Sequence, residues 1–122
     1  MRWPQPQKPP WRPLPADDGK ELERARNEAL NLVQGLARIA HAVDPDYGGL
    51  SGAPKFPQWN VFWLLWRGAI RFDDRNARDA VVTTLRHICQ GGIYDHLAGG
   101  FARYSVDERW LVPHFEKMLY DN

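Results

Sequence analysis

The stretch Gln58-Trp-Asn-Val-Phe-Trp-Leu-Leu-Trp-Arg-Gly-Ala-Ile-Arg-Phe72 decides the fold. Trp59, Val61, Phe62, Trp63, Leu64, Leu65 and Trp66 put apolar surface on nearly every side of a helix, so this helix has to be covered from several directions. Its unbroken apolar run, Val61 to Trp66, is far shorter than the roughly 20 residues needed to span a bilayer. The segment is therefore the centre of a helical core, and the flanking sequence has to supply the cover.

On its N-terminal side lies Asp46-Tyr-Gly-Gly-Leu-Ser-Gly-Ala-Pro-Lys-Phe-Pro57. Three glycines and two prolines in twelve positions make this a structured loop, not a helix or strand. Lys55, between Pro54 and Phe56, reads as an anchor of that loop. Further back, Leu22, Ala25, Ala29, Leu32, Val33, Leu36, Ile39, Ala40 and Val43 recur at the three-four spacing of an amphipathic helix. Asp17 and Asp18 offer its cap. The helix ends before Asp44-Pro45, because a residue preceding proline is pushed out of helical geometry.

On the C-terminal side, Asp73, Asp74 and Asn76 form a turn and cap. A third helix follows from about Arg75 to Gln90, with Ala77, Ala80, Val81, Thr84, Leu85 and Ile88 on one stripe. Gly91-Gly92 should close it as a C-terminal glycine cap. Cys89, inside this helix, reads as a small buried apolar residue. Phe101 to Val112 alternates loosely around Asp107-Glu108, as in a short β-hairpin or an extended loop. Pro113 suits the first turn of a fourth helix, where its missing donor costs nothing. The class is all-α. Three helices and the start of a fourth do not enclose residues 58–72, so the chain is read as the N-terminal part of a larger domain, cut short at Asn122. Self-association through the apolar helix 58–72 is the other way to cover it.

Sixteen basic against 15 acidic residues leave no electrostatic footprint for nucleic acid or an anionic membrane. The start, Met-Arg-Trp-Pro-Gln-Pro, has no apolar secretory core. A lone cysteine excludes an internal disulfide, a Cys-x-x-Cys redox pair and a cysteine-based zinc site, and fits a cytoplasmic, reducing setting. Met1 to Pro15 holds six prolines, so residues 1–16 form an extended arm or linker ahead of a domain over 17–122.

Two segments carry a family resemblance. They are Asp46 to Pro57, quoted above, and Gly91-Gly-Ile-Tyr-Asp-His-Leu-Ala-Gly-Gly-Phe-Ala-Arg-Tyr-Ser-Val-Asp-Glu-Arg-Trp-Leu-Val-Pro-His-Phe-Glu-Lys-Met-Leu-Tyr-Asp-Asn122. They resemble the YyaL-type, spermatogenesis-associated thioredoxin-like proteins. That resemblance implies a thioredoxin-like domain followed by an (α/α)6 barrel akin to N-acylglucosamine 2-epimerases and six-hairpin glycosidases. Residues 17–122 would be the opening part of the barrel, and the proline arm would sit where the thioredoxin-like domain connects. Ala98 stands where the family usually has a third glycine, and Leu50 where phenylalanine is common. No redox function carries over, because the thioredoxin-like half lies outside this chain.

The segment from Tyr94 to Asp121 gathers the residues able to do chemistry. His96 and His114 are candidates for proton transfer, since imidazole titrates near neutral pH. A sugar epimerase of the related fold needs an acid and a base on opposite faces of one carbon. Asp95 and Glu116 are candidates for the two-carboxyl chemistry of glycoside hydrolysis. Arg103, with its planar fork of donors, and Tyr104 suit a carboxylate, phosphate or sugar hydroxyl, although an extended backbone would point them to opposite faces. Tyr94, Tyr120 and Asp121 complete the substrate-binding set, with Glu116 and Tyr120 four apart on one face of the expected helix. His114-Phe-Glu116 lacks the i, i+4 spacing of a zinc helix, so no metal and no cofactor is expected. Two functions stay open: an epimerase- or isomerase-like enzyme acting on a sugar-like metabolite, and a non-catalytic module that binds a ligand or a protein.

Overall fold

The computed structural model describes residues 19–122, and the fold over them is all-α. The proline arm and the cap expected from Asp17 and Asp18 lie outside that range. Helix α1 spans Gly19–Ala42, α2 Trp59–Phe72 and α3 Arg75–Gln90, and one 3-10 turn covers Leu119–Asp121. No helix among the described residues is long and apolar enough to cross a membrane.

The three helices meet around Leu36 and Val43 at the C-terminal end of α1 and just beyond it, Phe62, Leu65 and Ala69 of α2, and Ala77 and Val81 of α3. Full burial of a side chain such as Leu65 contributes roughly 1.5–3 kcal/mol. The apolar stripe of α1 is covered only at that end: residues 19–34 are exposed, Leu22, Leu30 and Leu32 among them. Helix α2 also keeps open surface, with Trp63 65% and Ile70 63% exposed. The sequence demanded cover on several sides of α2, and α1 and α3 supply part of it.

The turn between α2 and α3 follows its sequence. Asp73 takes a left-handed conformation with φ 50° and donates its amide to the Ala69 carbonyl. Asp74 then caps α3, its carboxylate accepting from the Ala77 amide at 3.2 Å. The other end of α3 departs from expectation. Gly91 has φ −81°, so it is not a left-handed cap. The glycines serve close approach instead: a Cβ on Gly91 would lie 2.7 Å from the Trp110 carbonyl oxygen, and one on Gly92 would collide with that of Leu111. The Gly92 amide donates to the Trp110 carbonyl at 2.6 Å.

A second core forms at the C-terminal end of α3, mostly from loops. Ile88, Ile93, Ala102 and Trp110 are buried there, with Tyr47, Trp59 and Phe101 packed around them. Thr84 links the two cores. Its hydroxyl donates to the Ala80 carbonyl at 2.7 Å and accepts from the Gly49 amide at 2.9 Å.

Other expectations fail as well. Pro113 does not open a fourth helix. His114 donates its amide to the Tyr104 carbonyl at 3.0 Å, and Arg103 donates to the Glu116 carbonyl at 2.8 Å. Those antiparallel bonds hold the backbone after Pro113 extended, and cross-chain pairing overrides local helix preference. The hairpin-like segment thus runs over 103–116, beyond the expected 101–112. Cys89 is exposed, because it follows the buried Ile88 and falls off the covered stripe.

Candidate functional site

Asp107 shapes the turn that brings the two arms of the hairpin together. Its carboxylate accepts from the Ser105 hydroxyl at 2.6 Å and from the amides of Arg109, Leu111 and Val112 at 2.8 to 3.3 Å. Burial alone would raise its pKa, but these donors outweigh it and hold the carboxyl at about 2. With the turn fixed, Tyr104 faces His114 and Arg103 faces Glu116.

Phe56, Tyr104 and His114 form a continuous stack. Phe56 and Tyr104 have ring centroids 4.8 Å apart, and Tyr104 lies nearly parallel to His114 at 4.7 Å. Beside the stack, one oxygen of Glu116 is shared by two cations or potential cations. Arg103 Nη1 lies 3.4 Å from Glu116 Oε2, and His114 Nδ1 lies 3.7 Å from the same atom. Tyr120 and Glu116 both favour the charged form of Arg103, raising its pKa, and Asp121 feels the same guanidinium. Burial raises the pKa of Asp121 despite that positive neighbour. Arg103 Nε and Asp121 Oδ2 are buried without hydrogen-bond partners, an unmatched donor and an unmatched acceptor in one cluster. Glu116 and Tyr120 do meet at Arg103, but not on a shared helix face, since Glu116 is in extended backbone and Tyr120 is in the separate 3-10 turn.

Asp95, His96 and Tyr94 belong to an adjoining loop with different partners. Asp95 accepts from the amides of Leu97 at 3.0 Å and Ala98 at 2.9 Å, and from Lys117 Nζ at 2.7 Å. The Ala98 amide and the Lys117 ammonium hold its carboxyl well below the usual carboxylate range. Lys117 also donates to the Gly99 carbonyl at 2.8 Å, which pins the glycine turn. His96 Nε2 lies 3.1 Å from the Gly91 carbonyl oxygen, and its ring stands edge-on to Tyr94 at 5.0 Å. Tyr94 packs on Phe101. The structure thus joins Arg103, Tyr104, His114, Glu116, Tyr120 and Asp121, while His96 shares no hydrogen-bond or ring partner with His114. Among the described residues, no group of three His, Cys, Asp or Glu side chains is placed to hold a metal ion.

Lys55 anchors its loop, as its position suggested, and does so from the interior. It is 1% exposed, with Nζ 2.7 Å from Asp44 Oδ2 and 2.8 Å from the Glu108 carbonyl oxygen. Burial works to raise the pKa of Asp44, but the Lys55 bond and the amides of Tyr47 and Asp46 bring it below its ordinary value. The pairing with Asp44 was missed in the sequence, where eleven residues and no periodic pattern separate the two.

No family model matches this chain. Curated relatives do. The chain is 45% identical to human spermatogenesis-associated protein 20 over 90 residues, which is 69% of this chain and 11% of that protein. The rat protein of the same name is 44% identical over the same shares. An uncharacterized protein of Caenorhabditis elegans is 43% identical over 84 residues, 66% of this chain and 12% of its own length. The chain thus spans about a tenth of the relatives it matches. It is homologous to a segment of spermatogenesis-associated protein 20, which supports the family indicated by Asp46–Pro57 and Gly91–Asn122.

Proposed function

We propose that this chain supplies one wall of a polar pocket in an α/α-barrel protein of the thioredoxin-like family, acting on a sugar or sugar-like metabolite by acid/base chemistry. The observation that carries it is the convergence of Arg103 and His114 on one oxygen of Glu116. A neutral imidazole with its Nδ1 proton toward Glu116 leaves Nε2 as the acceptor, the form a general base requires. Once Nε2 takes a proton, the imidazolium lies 3.7 Å from the Glu116 carboxylate, which the Arg103 contact at 3.4 Å holds in place. Tyr104 beneath the ring limits its rotation. His96 is the candidate for the second proton-transfer group. With Nε2 directed at the Gly91 carbonyl, its Nδ1 is the free nitrogen.

Glycoside hydrolysis through Asp95 and Glu116 gains less support. A general acid must hold a proton near neutral pH, whereas Asp95 is strongly stabilised as the carboxylate. The non-catalytic alternative draws on the same loop, since the bonds of Asp95 and His96 to backbone groups suit a structural role.

Incubation of the intact barrel protein that carries this segment in D2O with N-acylated hexosamines and simple hexoses, read by mass spectrometry, separates these possibilities. Deuterium incorporation at a carbon-bound position is expected, with His114→Ala slowing it about 10²–10⁴-fold, the usual worth of a general base. Saturable sugar binding without exchange supports the binding module. Neither binding nor exchange across the panel overturns the sugar proposal.

A further inference from the structure

We infer that Lys55 is a positioning residue for His114, acting through a chain of contacts that begins in the interior and ends at the imidazole; this rests on the assignment of His114 to the site. A buried ammonium is costly unless paired and hydrogen-bonded. Lys55 meets that demand with the Asp44 carboxylate at 2.7 Å and the Glu108 carbonyl at 2.8 Å, and the rings of Tyr47 and Trp110 lie 6.0 and 5.7 Å from Nζ. The satisfied ammonium therefore fixes the chain just after α1 relative to the Asp107 turn.

The backbone of Lys55 makes the next link. Its amide donates to the Ser105 carbonyl and its carbonyl accepts from the Ser105 amide, both at 2.8 Å. The following residue, Phe56, then lies against Tyr104, the residue before Ser105. Tyr104 in turn carries His114 on its other side, with the two rings inclined by only 16°. The side chain locks the register, the register places Phe56, and Phe56 with Tyr104 sets the plane of the imidazole. Phe56 is itself 38% exposed, so its place against Tyr104 rests on this backbone pairing.

The test is NMR of the imidazole protons of His114 in Lys55→Met, Lys55→Arg and Asp44→Asn, with Val81→Ala as a control for general loss of stability. A ring stacked on tyrosine has its protons shifted upfield. In Lys55→Met those shifts are expected to collapse toward the positions of a free histidine, in Asp44→Asn to move part of the way, and in Lys55→Arg to recover. Unchanged His114 shifts in folded Lys55→Met, or equal movement in Val81→Ala, overturns the inference. If Lys55→Met does not fold, Asp44→Asn decides: shifts identical to the parent's, or a move that Val81→Ala reproduces, overturn the proposal, and a partial move that Val81→Ala does not reproduce supports it. Sugar turnover enters none of these readouts, so failure of the acid/base proposal and failure of this one are told apart.

Discussion

The indole of Trp110 donates from Nε1 to the carbonyl oxygen of Tyr47 at 2.9 Å, across 63 residues of chain. The ring is fully buried, and Gly49 lies so close to it that a Cβ there would overlap the indole. Trp110→Ala should therefore destabilise the fold by about 3–5 kcal/mol, the usual cost of emptying so large a site. Trp110→Phe keeps much of the packing but strands the Tyr47 carbonyl, and should cost about 1–3 kcal/mol. Urea unfolding of the two variants measures both, and the smaller loss belongs to phenylalanine.

Gly92 and Gly99 should fail for different reasons. At Gly92 a Cβ collides with the Leu111 backbone, which cannot yield without breaking the contact to α3. At Gly99 nothing lies within 4 Å, but φ is +79°, which costs an alanine about 1–2 kcal/mol. Gly92→Ala is expected to lose more stability than Gly99→Ala. Equal midpoints in denaturant would count against the close approach.

Stability should fall in acid through Asp107. Its folded pKa, about 2, is depressed from 3.8, so its contribution is fully present above pH 3.8 and is lost as pH falls toward 2. Unfolding midpoints measured from pH 5 to pH 2 should show a smaller slope in Asp107→Asn than in the parent. The substitution also lowers the plateau near neutral pH, since a neutral amide gives up charge-assisted bonds to three amides and a hydroxyl.

The exposed side of α2 calls for cover, and we propose that the chain alone finds it in a second copy. Trp63 and Ile70 are the most exposed apolar residues of that helix. Sedimentation velocity should show concentration-dependent association, and Trp63→Glu with Ile70→Glu should shift it toward monomer. A single monomeric boundary at every concentration would sink the proposal.

The helices were legible because periodicity and punctuation agreed. The stripe from Ala77 to Ile88 and the acidic turn at Asp73-Asp74 placed α3 at Arg75–Gln90, where it lies. The Asp44-Pro45 stop placed the end of α1 within about a residue. What stayed hidden depended on partners distant in sequence. His114 to Tyr120 looks helical on its own, but pairing with Arg103 and Tyr104 extends His114 to Glu116 and leaves only the 3-10 turn at Leu119–Asp121. The polar character of 94–121 was readable, but its division was not. Nothing in the order of residues says that Asp95 divides its oxygens between its own loop and Lys117 while Glu116 turns to Arg103 and His114. Nor does it say that Lys55 goes inside.

The second core carries a consequence for the order in which the chain can fold. Helices α1 to α3 close by contacts among residues that leave the ribosome before residue 91. The bonds that seal the loop core span 63 residues from Trp110 to Tyr47 and 53 from Lys55 to Glu108. Closing such loops costs chain entropy before any packing returns it. Gly49 can meet Thr84 as soon as α3 is made, but Lys55 must wait, still solvated, until the Asp107 turn has been synthesised. The polar cluster that depends on that turn is assembled last, on helices already in place.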